Sequence, residues 1–153
     1  MKFVKGDILD AKHGIIGHQV NCQMVMGAGL AKQIRKKYPR VYTEYMEIMG
    51  KAEPKDRFGK CQIVEVVSGT LYFANLFGQY EYRPRGIQHT NYDALSMALV
   101  GLKVWHSKYA SPNFPIFLPH GLGCGLAGGD WKQVLGRIES AIPDAIIVRL
   151  DKV

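Results

Sequence analysis

A three-layer α/β/α fold, built on a mixed, largely parallel central sheet, is the class this sequence predicts, on three observations. Apolar, partly β-branched runs alternate with helical periodicities along the whole chain, the pattern of strands joined by crossover helices. Two runs, 61–67 and 71–77, are separated only by a short turn around Ser68-Gly69, so a hairpin makes the sheet mixed rather than purely parallel. The 153 residues are 47% apolar and 22% charged, enough to bury one core without disulfides or structural metal. A single domain over 1–153 is expected, without internal boundary or low-complexity tract.

The elements follow in order. Lys2 to Lys5 and Ile15 to Asn21 read as short strands, the second followed by a polar, glycine-bearing stretch. Leu30, Ile34 and Tyr38 recur at four-residue spacing with Lys32, Arg35 and Lys36 opposite, which predicts a helix that Pro39 stops. Val41 to Met49 predicts a second helix, and the polar segment KAEPKDRFGK, broken by Pro54 and Gly59, a surface loop. After the hairpin and an irregular stretch, GQYEYRPRGIQH, Thr90 and Asp93 resemble a capping box before a long helix with Leu95, Leu99, Leu102 and Trp105 as its apolar stripe. Pro112 and Pro115 bound the next loop, ahead of the strand Ile116-Phe117-Leu118. Trp131, Leu135, Ile138 and Ile142 mark a last amphipathic helix, and Ala145 to Leu150 a last buried strand.

Composition excludes several classes. No apolar run reaches the roughly 20 residues of a membrane helix, and the start, MKFVKGDILD, has no signal-peptide stretch, so a soluble, cytoplasmic protein is expected. Cys22, Cys61 and Cys124 are odd in number and far apart, which predicts reduced thiols rather than a disulfide framework. The five histidines show no metal-ligand spacing, so no metal is expected. A net charge of +7 favours an anionic partner, a nucleotide or nucleic acid.

The strongest internal signal is a doublet, Gly27-Ala28-Gly29-Leu30-Ala31 and Gly123-Cys124-Gly125-Leu126-Ala127, each after a strand and close before a helix. Glycine lets backbone N–H groups approach an anion, and a helix N-terminus adds partial positive charge, so two such cradles facing one another suit a diphosphate. Gly123, Gly125 and Gly128 also satisfy GxGxxG, with Asp151 as a possible ribose-binding acid, but the motif falls beside the last helix and strand, with no room for the rest of a dinucleotide-binding half.

Asp7, after Gly6 and the first strand, can accept a hydrogen bond from an exocyclic amine or simply form a turn. Asn21 can bind ribose hydroxyls or form a turn of its own. Asp130 is the best acid or base candidate, although its place just before a helix equally suits an N-cap. His18 reads as a hydrogen-bonded core residue, and Cys124 as a close-packed loop residue.

Three segments, GDI at 6–8, NCQMVMGAGLA at 21–31 and PHGLGCGLAGGDW at 119–131, together resemble the macrodomain family over nearly the whole chain. The match is closest to the Appr-1''-p processing branch, which holds ADP-ribose-1''-phosphate phosphatases and terminal ADP-ribose protein glycohydrolases. The resemblance implies ADP-ribose at the strand ends, as ligand or product, with no separate cofactor. Asp7 and Ile8, beside Gly6, would recognise adenine, and Asn21 would face the distal ribose. Gly27, Ala28, Gly29, Leu30 and Ala31, with Gly121, Leu122, Gly123, Cys124, Gly125 and Leu126, would wrap the diphosphate, and Pro119 would also line the ligand site. Phe77, Gln79 and Tyr80 would flank the nucleotide or its distal end. The glycohydrolase relatives carry a lysine after the middle strand, where this chain reads Gly78-Gln79-Tyr80, and an acid straight after GCGL, where it has Ala127.

The expectation is therefore a monomeric, metal-independent phosphatase that converts ADP-ribose 1''-phosphate to ADP-ribose and phosphate. Backbone donors would stabilise the phosphoryl charge, Asn21 or Gln23 would position water, and Asp130 would handle protons. The alternatives are a non-catalytic ADP-ribose reader, a hydrolase that removes ADP-ribose from protein, nucleic acid or O-acetyl conjugates, and a nucleic-acid binder acting through charge.

Overall fold

The computed structural model describes residues 1–150 and arranges six strands in one sheet. They are β1 (Lys2–Lys5), β2 (Gly14–Gln19), β3 (Cys61–Val67), β4 (Leu71–Leu76), β5 (Ile116–Pro119) and β6 (Ile146–Arg149). Asp151, weighed above as a ribose-binding acid, lies outside the described residues. The spatial order is β1-β6-β5-β2-β4-β3, with β3 antiparallel to β4 and every other neighbouring pair parallel. The sheet is thus mixed and largely parallel, as expected, and the hairpin turns at Ser68–Thr70.

Alternation sorts the strand residues onto two faces. Ile16, Phe73 and Val148 pack with Ile34 of α1 (Gly29–Lys37) and with Val41, Tyr45 and Met49 of α2 (Pro39–Met49). Ile15, Ala74, Leu118 and Ile147 pack with α4 (Tyr92–Tyr109) and α5 (Trp131–Ala141) on the other side. Leu95, Leu99 and Leu102 of α4 are fully buried there, each worth about 1.5–3 kcal/mol of apolar burial. Trp105, the fourth member of that stripe, is only half-buried and leans on Tyr72, ring centroids 5.2 Å apart. Three layers result, and no helix among the described residues is long and apolar enough to cross a membrane.

Several boundaries differ from the sequence reading. Pro39 does stop α1, and in the same place it opens α2 at a position where its missing N–H costs nothing. The segment read as a loop contains the one-turn helix α3 (Pro54–Arg57). The cap of α4 is Asn91, whose side chain accepts from Ala94 N at 2.9 Å, not the Thr90/Asp93 pair. Thr90 is buried instead. Strand β2 ends at Gln19, two residues before Asn21, so Val20–Ala28 is free to form a loop.

This topology selects the site. The chain leaves β2 through α1 and α2 toward β3 and β4, and leaves β5 through α5 toward β6 on the opposite side. Adjacent parallel strands whose connections diverge leave a crevice at their carboxyl ends, the usual ligand position in open α/β sheets. Both glycine-rich segments lie there.

Candidate functional site

The crevice is a two-lobed cleft. The first lobe is a cavity of about 430 Å³ whose walls include Gln19, Asn21, Gly27, Ala28, Gln79, Tyr82, Arg83 and Arg85. The second, about 260 Å³, is walled by Gly29, Leu30 and Ala31 on one side and by Pro119, Gly121, Leu122, Gly123, Gly125 and Leu126 on the other. Gln19, Ala28, Ala31, Leu126 and Ala127 border both. The structure therefore sets the two glycine segments face to face across β2 and β5.

The first segment owes its shape to Asn21, which is 8% exposed. Its Nδ2 donates to Val25 O at 2.8 Å, while its Oδ1 accepts from Gln23 N at 2.9 Å and from Tyr45 OH at 3.0 Å. Burial pushes the Tyr45 phenol above its usual range, so it stays a donor. These bonds bend the loop so that α1 starts at Gly29. Ala28, at the cap position, has no side-chain acceptor, and the first-turn N–H groups are left to the cleft.

The second segment is a run of tight turns. Leu122 N, Cys124 N, Gly128 N and Gly129 N donate to Pro119 O, Gly121 O, Gly125 O and Gly123 O. The N–H groups of Gly125, Leu126 and Ala127 have no acceptor among the described residues. Gly123 adopts φ +71, and a Cβ there would sit 3.0 Å from both Gln19 Oε1 and Thr90 Oγ1. Both counts favour glycine.

A buried amide network fastens this loop to the sheet. Gln19 Nε2 donates to Gln79 Oε1 at 2.8 Å and to Thr90 Oγ1 at 2.9 Å. Thr90 in turn donates to Gly123 O at 2.6 Å, and Gln79 Nε2 to Glu81 O at 2.7 Å. With both protons of its amide used, Gln19 keeps Oε1 as a buried acceptor with no partner. That atom is closed off from solvent between Gly78 and Gly123.

His18 is 2% exposed and donates from Nε2 to Asn75 Oδ1 at 2.6 Å. The Asn75 amide is itself oriented by Gln62 Oε1, which accepts from its Nδ2 at 2.9 Å. Desolvation lowers the His18 pKa to about 4, so the ring is neutral near pH 7 with Nδ1 as an unpartnered acceptor. The expected hydrogen-bonded core histidine is what the structure contains, although it also borders the second lobe.

Other residues singled out above lie elsewhere. Gly6, Asp7 and Ile8 follow β1 at the same edge of the sheet but border neither lobe. Asp7 Oδ1 caps the turn Ile8–Asp10 by accepting from Leu9 N at 2.9 Å, and Ile8 is buried in the core. Phe77 is also a core residue, against Tyr45 with ring centroids 5.9 Å apart. Tyr80 packs on Phe58 and gives its carbonyl to Cys22 N and Gln23 Nε2, so Tyr80 and Gln23 brace the first loop from outside. Cys124 gives its thiol hydrogen to Leu122 O at 3.2 Å. Burial, then the nearby Asp130, pushes that thiol up to about 11.

Asp130 is exposed at the start of α5, makes no side-chain cap, and borders a separate depression with Lys132, Gln133 and Arg137. Gly128 and Gly129 intervene between it and Ala127 at the cleft, turning the chain outward. The sequence reading missed Gln19, Thr90, Tyr82, Arg83 and Arg85. Gln19 closes the strand that runs into the first glycine segment, and the aromatic and basic residues of YEYRPR were a signal for Tyr82, Arg83 and Arg85, whereas Thr90 was read only as part of a capping box. Among the described residues, no group of three or more His, Cys, Asp or Glu could hold a metal ion.

No family model matches the chain. An uncharacterised 17.5 kDa protein of Enterobacteria phage T4 is 28% identical, with 99% of this chain and 96% of that protein covered. A DNA ADP-ribosyl glycohydrolase of Mycobacterium tuberculosis is 28% identical over 91% of this chain, which spans only 38% of that enzyme's length. Among solved structures, a protein of unknown function from Bacteroides thetaiotaomicron has a TM-score of 0.84 at 25% identity, covering 98% of this chain and 97% of its own. The macrodomain of Mycobacterium tuberculosis DarG follows at 0.76 and 25% identity, covering 99% and 98%. Thermosipho africanus DarTG, solved in complex with ADP-ribose, has a TM-score of 0.76 at 18% identity, covering 98% of this chain and 42% of its own. The mixed six-stranded sheet, its helical layers and these likenesses together identify the fold of this chain as that of a macrodomain.

Proposed function

We propose that this chain binds ADP-ribose in the two-lobed cleft and hydrolyses the bond between its distal ribose and a conjugated group, with ADP-ribosylated DNA as the preferred conjugate. The observation that carries the reading is the pair of glycine segments facing one another, with the uncapped start of α1 on one side and the N–H groups of Gly125, Leu126 and Ala127 on the other. That spacing of donors suits a diphosphate. Adenine then lies toward Asp7 and Ile8, at the β1 side of the sheet edge, and the distal ribose lies in the first lobe beside Gln19, Asn21 and Gln79. Both segments belong to one chain, so a monomer suffices.

The reaction adds water across the bond to the leaving group, yielding ADP-ribose and the protonated leaving group. Among the described residues, neither lobe is bordered by a lysine or a carboxylate. We therefore assign the rate enhancement to oriented N–H groups and to substrate and water positioned by the amide-rich wall. Asp130, which faces a different depression, has no part in that scheme. The curated glycohydrolase relative supports DNA as the conjugate.

A second reading, conversion of ADP-ribose 1''-phosphate to ADP-ribose and phosphate, is favoured by Arg83 and Arg85 beside the first lobe, since a guanidinium pair suits a terminal phosphate. Calorimetric titration with ADP-ribose, with AMP as control, tests the shared basis of both. Chromatography of the same sample with an ADP-ribosylated oligonucleotide and with ADP-ribose 1''-phosphate separates them. Release of ADP-ribose from the oligonucleotide supports the first reading, and phosphate release alone selects the second. Binding without either identifies a reader, and no binding of ADP-ribose rejects the assignment.

A further inference from the structure

We propose that Tyr82, Arg83 and Arg85 form a strand-holding rim that grips the phosphodiesters of single-stranded DNA on either side of an ADP-ribosylated base. The inference rests on the ADP-ribosyl–DNA reading above, and it adds which residues of this chain choose a polymeric substrate over a small one.

Position is the first argument. All three residues border the first lobe, where that reading places the distal ribose and its conjugated group, and both arginines are exposed. A group attached to a ribose in that lobe lies within reach of them. A base joined to a ribose in this lobe has to leave its stack, which favours an unpaired strand.

Charge is the second. Arg83 and Arg85 are two guanidinium groups at one edge of the lobe, and like most basic residues among the described ones they form no ion pair, even with Glu81 beside them in sequence. Their guanidinium forks are left to match phosphate oxygens outside the protein. Tyr82 adds a half-buried aromatic face, its ring centroid 5.3 Å from the Arg83 guanidinium, of the kind on which bases stack.

The third is that the rim is held in place. Its two ends meet at the bridge between Gln79 and Thr90, Gln79 Nε2 holds Glu81 O at 2.7 Å, and the His89 ring donates to Pro84 O at 2.7 Å. Gln79 and Thr90 are also the partners of Gln19, so the basic rim and the cleft share one anchor.

The test compares wild type with Arg83→Ala/Arg85→Ala and Arg83→Lys/Arg85→Lys. Stopped-flow anisotropy follows a fluorescent, ADP-ribosylated single-stranded oligonucleotide, and calorimetry follows free ADP-ribose and ADP-ribose 1''-phosphate. The alanine pair is expected to weaken the oligonucleotide at least tenfold more than it weakens free ADP-ribose. It should also flatten the plot of log affinity against log salt by about 1.4, at about 0.7 for each phosphate no longer neutralised on a single strand. The lysine pair should retain most of the salt dependence. Equal losses for oligonucleotide and ADP-ribose, or a loss confined to ADP-ribose 1''-phosphate, would overturn the inference. So would a wild-type protein that binds the oligonucleotide no better than ADP-ribose. Failure to bind ADP-ribose at all would instead reject the underlying function.

Discussion

Gln19 donates a hydrogen bond to Thr90, Nε2 to Oγ1 at 2.9 Å, across 71 positions of sequence. Because Thr90 passes its own proton to Gly123 O at 2.6 Å, that contact couples the end of β2 to the second glycine loop. The two walls of the cleft are thereby set at a fixed separation by buried side chains of strand and helix-cap segments rather than by the loops themselves.

Replacing Thr90 by valine keeps the volume and removes the hydroxyl. Gly123 O and one Gln19 proton then lose their partner, at a cost of about 1–3 kcal/mol. Denaturant unfolding should show that loss, and calorimetry a roughly tenfold weaker ADP-ribose affinity. Serine at the same position should restore most of both.

Two neighbouring glycines should behave differently as alanines. At Gly123 a Cβ meets Gln19 and Thr90 at 3.0 Å with φ at +71, so Gly123→Ala should lower stability by about 1–2 kcal/mol and abolish tight ADP-ribose binding. At Gly125 the free protein has open space around a Cβ, with no left-handed φ. Gly125→Ala should unfold within about 0.5 kcal/mol of wild type yet bind ADP-ribose markedly more weakly, because the methyl group occupies the path of the diphosphate. Unchanged affinity in Gly125→Ala would remove that loop from the binding site.

His18 makes the fold acid-sensitive. Burial lowers its pKa from the usual 6.5 to about 4, so between those values the unfolded chain binds a proton that the folded chain does not. The stabilisation it contributes is complete above about pH 6.5 and is lost as pH falls toward 4, with a total on the order of 3 kcal/mol. Unfolding free energies measured from pH 7 to pH 4 should decline accordingly, and His18→Asn should shrink that slope while lowering stability at pH 7.

Asp130→Asn should leave both ADP-ribose affinity and turnover within about twofold of wild type, a barrier change of about 0.4 kcal/mol or less. Its carboxylate borders the surface around Lys132 and Arg137 rather than the cleft. A loss of turnover beyond a hundredfold with intact binding would return Asp130 to the reaction.

Much of the fold was legible in the sequence because it depends on local patterns. The alternation of Ile15 and Ile16 between two cores, the turn at Ser68–Thr70 and the four-residue spacing of Leu95 and Leu99 are each written within a few residues. Element ends were less legible. The strand β2 stops at Gln19 because Asn21 and Tyr45, distant in sequence, bend the chain after it, and Asn91 caps α4 because Thr90 is drawn inward by Gln19.

The site divides the same way. By itself the sequence determined that two glycine segments follow parallel strands, and hence that two sets of backbone donors meet at one edge, since glycine content and strand order are local and topological properties. Only the tertiary structure decided which side chains join them. It brought Gln19, Gln79 and Thr90 into one buried network, put Arg83 and Arg85 at the rim, and left Asp130 outside. Side-chain company is decided by strand register and by where a loop is tied down, and both depend on contacts between residues dozens of positions apart.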